Sequence, residues 1–152
     1  MMQMRHISIG ILATLLVSQL AGCARVVPLE PGPTANSPDC ANLMVRLPSE
    51  ILGQSRRAVN AQSTAAWGNP VSIIVRCGVV SPGPSTMPCV TIDGVDWLRD
   101  DRDDPNFVFT TFGRSPATEV IIDSQITSGF GALGALAPAI DSQSPPERVC
   151  LG

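Results

Sequence analysis

Five cysteines do most to limit how this chain of 152 residues can fold. Cys23 closes an apolar N-terminal segment and stands apart from Cys40, Cys77, Cys89 and Cys150. An even set of cysteines outside the reducing cytosol reads as a disulfide framework, and four of them admit three pairings. The stretch from Gly78 to Pro88 reads as a loop between two strands, which favours Cys77–Cys89 and leaves Cys40–Cys150. A bridge joining the start and end of the globular part would stabilise it by about 4 to 5 kcal/mol on the chain-entropy view. A zinc site does not fit these thiols, because no Cys-x-x-Cys pair is present and the single histidine, His6, lies far upstream.

The N-terminal segment explains why Cys23 is set aside. Arg5 precedes an apolar run from Ile7 to Val17, and Leu20-Ala21-Gly22-Cys23 follows. A short basic start, an apolar core and small residues before a cut site form the secretory pattern. With Gln19 interrupting it, the run falls short of the roughly 20 apolar residues that a spanning helix needs. The last four residues resemble the bacterial lipobox, which implies diacylglycerol on the Cys23 sulfur and cleavage before it. Two or three acyl chains give stable anchoring at about 0.8 kcal/mol per buried methylene. Residues 1–22 are therefore expected to be a lipoprotein signal peptide. Residues 23–39 follow as a lipidated cysteine and linker, and 40–152 as one stapled domain outside the cytoplasm. Four prolines between Ala24 and Pro38 make that linker a stiff tether. At about 3.1 Å per residue it would span ~40 Å.

Hydrophobic patterning places the remaining elements. Pro48 suits a first helical turn, and Ile51, Leu52, Ala58 and Val59 share one helical face, so a helix is expected over residues 48–62. Strands are expected at 71–76, 89–92, 107–112 and 118–123, the last two joined through Gly113-Arg114-Ser115-Pro116. Phe130, Leu133, Leu136 and Ile140 have helical spacing, with Pro138 expected to end or kink that helix. The expected fold is α+β: a small antiparallel sheet of about four strands with two helices packed on it, behind a signal peptide and a Pro-rich tether.

Several short motifs fall in one order along the chain. These are Leu47-Pro48, Ala66-Trp67-Gly68-Asn69-Pro70, Val75-Arg76-Cys77-Gly78-Val79, Gly94-Val95-Asp96-Trp97 and Thr111-Phe112-Gly113-Arg114-Ser115-Pro116-Ala117. Together they resemble a family of small exported actinobacterial proteins known only as a domain of unknown function, over roughly residues 40–150. The resemblance implies a cell-envelope protein and transfers no catalytic residue.

Chemistry is limited by what the chain lacks. All ten basic residues are Arg, Tyr is absent, and His6 leaves with the signal peptide. Ser-His-Asp, Cys-His and His-zinc catalysis need a histidine, and Schiff-base chemistry needs a lysine. A formal net charge of −3 and scattered arginines argue against nucleic-acid binding. Gly129-Phe130-Gly131-Ala132-Leu133-Gly134 matches a dinucleotide fingerprint in letters only, since no following strand offers the acidic partner, so no cofactor is expected. Asp93, Asp96, Asp100, Asp101, Asp103 and Asp104 crowd twelve residues and read as a solvated acidic loop. Weak calcium binding is the alternative, although the EF-hand pattern is not met. Trp67 and Trp97 both flank turns; each reads foremost as a cap over the core. Arg114 is expected to pair with an Asp of the acidic loop. Trp97, Asp96 and Arg114 are nevertheless the expected surface if the domain binds a partner.

The expected function is a lipid-anchored, non-catalytic binding or accessory module on the outer face of the cell membrane. Its partner would be another envelope protein or a cell-wall component. The alternative is a small carboxylate-dependent wall hydrolase using Asp96 with Glu119 or Asp123, and a third reading is a structural spacer.

Overall fold

A computed structural model describes residues 25–151. The expected signal peptide and Cys23 lie outside the described residues. The chain forms helix α1 (Pro38–Met44), strands β1 (Glu50–Ile51), β2 (Gln54–Arg57), β3 (Thr64–Trp67), β4 (Ile73–Val79), β5 (Cys89–Ile92), β6 (Val95–Asp103), β7 (Asn106–Thr111) and β8 (Ala117–Asp123), then helix α2 (Gly129–Ile140). The strands make one eight-stranded sheet in the order β1-β2-β3-β4-β8-β7-β6-β5, every ladder antiparallel. It is thus two meanders, β1–β4 and β5–β8, joined along the β4–β8 seam. Among the described residues no helix is long and apolar enough to cross a membrane.

The sheet has twice the strands expected. Residues 48–62 do not form a helix: Leu52 and Gly53, with φ of 49° and 78°, make the two-residue turn of the β1–β2 hairpin. The apolar residues there matched helical spacing, yet a turn with two positive-φ positions cannot continue a helix. The acidic stretch is not a loop either. Asp93-Gly94 is a tight turn with φ of 47° and 81°, the geometry that such a dipeptide accepts readily, and β6 begins immediately after it. Strand β3 reads Thr-Ala-Ala-Trp, and all four residues are buried, on both faces of the sheet.

Both helices pack on one face of the sheet. Alternation along the central strands turns Ile73, Val75, Val120 and Ile122 towards Leu43 of α1 and towards Leu133, Leu136 and Ile140 of α2, all essentially without solvent contact. Ser37 caps α1 by accepting from the Asp39 N–H, with Pro38 in the first turn, and Ser128 caps α2 by accepting from the Gly131 N–H. Pro138 does not stop α2, which runs on to Ile140; the ring lies on the exposed side of the helix.

The disulfides differ from the favoured pairing. Cys40 bonds Cys77, fixing α1 to β4, and Cys89 bonds Cys150, fixing the C-terminal tail to β5. Cys77–Cys89 is impossible in this sheet: β4 and β5 are four strand spacings apart, about 19 Å, whereas a bridge needs Cα atoms within about 7 Å.

The Pro-rich stretch is not a free tether. The Arg25 carbonyl accepts from Arg57 at 3.2 Å, Val27 bridges Val59, and the Thr34 N–H donates to the Gly78 carbonyl at 3.0 Å. At Gly78, with φ of 90°, a side chain would collide with the backbone of Thr34 and Ala35, so glycine there lets the segment lie against β4. The stretch then turns directly into α1.

Candidate functional site

The surface expected around Trp97, Asp96 and Arg114 does not form. Trp97 is fully buried on the helix face, where alternation along β6 turns Val95 and Trp97 inward, and its Nε1 has no hydrogen-bond partner among the described residues. Arg114 is also buried. It donates to the Ser144 carbonyl at 2.8 Å and to Asp141 at 3.1 Å, tying the α2 exit to the β7–β8 turn rather than pairing with the acidic run. Asp96 is the half-buried member of the three. Its carboxylate accepts from the Thr91 hydroxyl at 2.5 Å and from the Cys150 N–H at 2.8 Å, so it holds the C-terminal tail beside the disulfide. Trp67 is a core residue, its Nε1 donating to the Pro48 carbonyl at 3.1 Å.

The carboxylates that a hydrolase would need are not brought together. Asp96 lies on β6 and Glu119 on β8, with β7 between them. Glu119 forms an ion pair with Arg76 at 2.9 Å, and Asp123 accepts from the Gln125 N–H at 3.0 Å. Within the acidic run, Arg102 pairs with Asp100 and Arg99 with Asp101 at 2.7 Å. Among the described residues there is no group of three or more His, Cys, Asp or Glu side chains placed to hold a metal ion. The glycine motif lies inside α2, where a side chain at Gly131 would press on Leu52 and one at Gly134 on Asp93. These small residues admit neighbouring turns to the helix rather than a pyrophosphate.

Asp100 is the one carboxylate with a strong perturbation. The Arg102 side chain, and then the Arg102 backbone N–H, bond its oxygens and hold it down at about 2. Because this value is depressed, any stabilisation from the pair is present above the unfolded carboxylate range, near ~3.9, and is lost as pH falls towards about 2. An NMR titration should place the Asp100 midpoint near 2. In Arg102→Ala it should move back towards ~3.9, and an unmoved midpoint would show that Arg102 is not the cause.

Two grooves lie at the β5 end of the sheet. On the face without helices, a groove of about 580 Å³ runs between the loop before β5 and the C-terminal tail. Leu98 and Phe112 are among its lining residues, with Met87, Val149 and Leu151 exposed around it and the Cys89–Cys150 bridge within it. Arg148 stacks over the Phe112 ring at 5.8 Å and is the charged residue of that lining. On the helix face a second groove of about 450 Å³ holds Phe107, Phe109 and Phe130, with Arg99 stacked over Phe107 at 5.2 Å. Both are apolar with one guanidinium, which suits ligands or partner side chains of mixed apolar and anionic character. Neither groove was visible in the sequence. Each is assembled from segments that only the strand order brings together, and the arginine–phenylalanine stacks have no local spacing signal.

A family model described as "Protein of unknown function (DUF3515)" matches residues 7–149. The chain belongs to this family. The DUF3515 match begins within the apolar N-terminal run and ends one residue before Cys150. It therefore takes in the docked Pro-rich segment, the whole sheet and both helices of this DUF3515 domain. No curated protein and no solved structure matches the chain.

Proposed function

We propose that the chain is an exported, lipid-anchored binding or accessory module of the cell envelope, acting without catalysis. One observation carries this reading: all four cysteines of the described chain are paired, Cys40 with Cys77 and Cys89 with Cys150. Disulfides persist in oxidising compartments and are rare in the cytosol. The apolar run from Ile7 to Val17 and the Leu20-Ala21-Gly22-Cys23 sequence supply a route to such a compartment and an anchor within it. The resemblance to exported actinobacterial proteins points the same way. The grooves at the β5 end are the binding surface in this reading, in place of the residues expected from the sequence. Each of the three carboxylates that a hydrolase would recruit already has another bonding partner.

Replacing Cys23 by alanine tests the anchor. The wild-type protein should fractionate with membranes and take up a labelled fatty acid, and Cys23→Ala should lose the label and appear in the medium. A wild-type chain that stays unlabelled in the cytosol overturns the reading. For binding, a photo-crosslinking residue at Met87 in the larger groove should give a discrete adduct in cells, and one at Asn42 on α1 should not. Equal labelling from both positions would remove the groove from the proposal.

A further inference from the structure

The first described residues fix where an anchor on Cys23 would hold the domain. The Arg25 carbonyl accepts from Arg57 of β2, the Val27 N–H donates to the Ala58 carbonyl at 2.9 Å, and the Leu29 N–H donates to Asn60 at 2.7 Å. Further on, Arg76 donates to the Glu30 carbonyl at 3.1 Å, so the segment is held along its length. Only Ala24 separates Arg25 from Cys23. Two peptide units reach at most about 7 Å, far less than the ~40 Å of a free tether. An anchor on Cys23 would therefore hold the domain by Arg25, which lies beside β2, next to one edge of the sheet. β5 forms the opposite edge, six strand spacings from β2, or about 29 Å.

Charge is distributed in the same direction. Arg25 and Arg56 are exposed at the β2 side together with half-buried Arg57 and the exposed apolar side chain of Val26; Glu30 and Glu50 are the acidic neighbours there. The acidic run, with exposed Asp101, Asp103 and Asp104, lies in β6 and its flanking turns within the far half of the sheet, and its six aspartates outnumber Arg99 and Arg102 among them. An anionic headgroup layer attracts the first group and repels the second.

We propose that the β1–β2 edge of the sheet, with Arg25, Val26 and Arg56, lies against an anionic lipid surface, so that the β5 edge and its two grooves point away from the membrane. This rests on the anchoring reading above. The domain is then seated on the bilayer, and a partner meets it from the opposite side.

The test uses the lipid-anchored protein purified from membranes and reconstituted into phosphatidylcholine–phosphatidylglycerol vesicles carrying a headgroup quencher. A fluorescent amino acid is introduced either at Ala58, beside the docked segment, or at Leu151, next to the Cys89–Cys150 bridge. Quenching should be several-fold stronger from Ala58 than from Leu151. Equal quenching, or stronger quenching from Leu151, overturns the proposed orientation. Mass measurement of Cys23 separates the two ideas, since an unmodified cysteine counts against natural lipidation alone. Cys23 is the one cysteine outside the two disulfides. Coupling it to a maleimide lipid gives the same pair of quenching measurements without natural lipidation, with the same expected and overturning results.

Discussion

Replacing Cys40 and Cys77 together by alanine should lower the unfolding free energy by about 4 kcal/mol, read from urea or thermal unfolding. The bridge closes a segment of 37 residues, and closure of that length removes about this much free energy from the unfolded ensemble. It also joins α1, a helix of seven residues, to the middle of the sheet. Helices this short have little stability of their own, so α1 should lose its protection from hydrogen exchange before β4 does. Cys89–Cys150 closes 61 residues and has a similar entropic contribution, about 4 kcal/mol. The two bridges should separate kinetically. Cys40 and Cys77 are fully buried, whereas Cys89 and Cys150 are half-buried beside an open groove. A mild reductant followed by alkylation should therefore label Cys89 and Cys150 first, with Cys40 and Cys77 reacting only as the domain unfolds. Simultaneous labelling of all four would mean that the tail offers no separate route to reduction.

The two tryptophans should respond differently to the same change. Trp67→Ala should cost about 3 to 5 kcal/mol, as expected for emptying the site of a fully buried aromatic side chain. Trp67→Phe additionally leaves the Pro48 carbonyl without the indole donor, a loss of about 1 kcal/mol beyond the change in volume. Trp97 is equally buried, yet its Nε1 has no partner among the described residues. Trp97→Phe removes an unsatisfied donor along with the indole, which partly offsets the lost volume. Chemical denaturation should therefore rank Trp97→Phe as the milder of the two phenylalanine variants. The reverse order would mean that the Pro48 hydrogen bond contributes little.

What could be read from the sequence depended on how each element meets its surroundings. The β-branched runs in β4 and β8 lie at the centre of the sheet, where burial on the helix face demands them, and their positions were legible. Strand β2, Gln-Ser-Arg-Arg, has exposed Ser55 and Arg56 and needs no apolar alternation, so its pairing with β3 leaves no local signal. The Asp93-Gly94 turn was written in the sequence, but the charge density after it resembled a solvated loop. In fact these residues form a strand: Val95 and Trp97 face the helices, Asp96 and Leu98 the other side, and the exposed charges follow towards its end. The disulfide pairing was not legible, because it depends on β4 having β8 rather than β5 as its neighbour. The core position expected for Trp97 holds, and its alternative place on a binding surface does not, because its parity along β6 turns it to the helix face.

The seam between β4 and β8 also has a consequence for how the chain is made. Each disulfide stays within one meander and its attached helix or tail, and neither crosses from the first cysteine pair to the second. Cys40 and Cys77 precede Cys89 and Cys150 in the chain, so synthesis presents the first pair before the second. Among these four, oxidation in order of arrival, Cys77 joining Cys40 and then Cys150 joining Cys89, produces the native pairing without reshuffling. Assembly can then proceed as two separately locked halves that zip along a single long-range ladder.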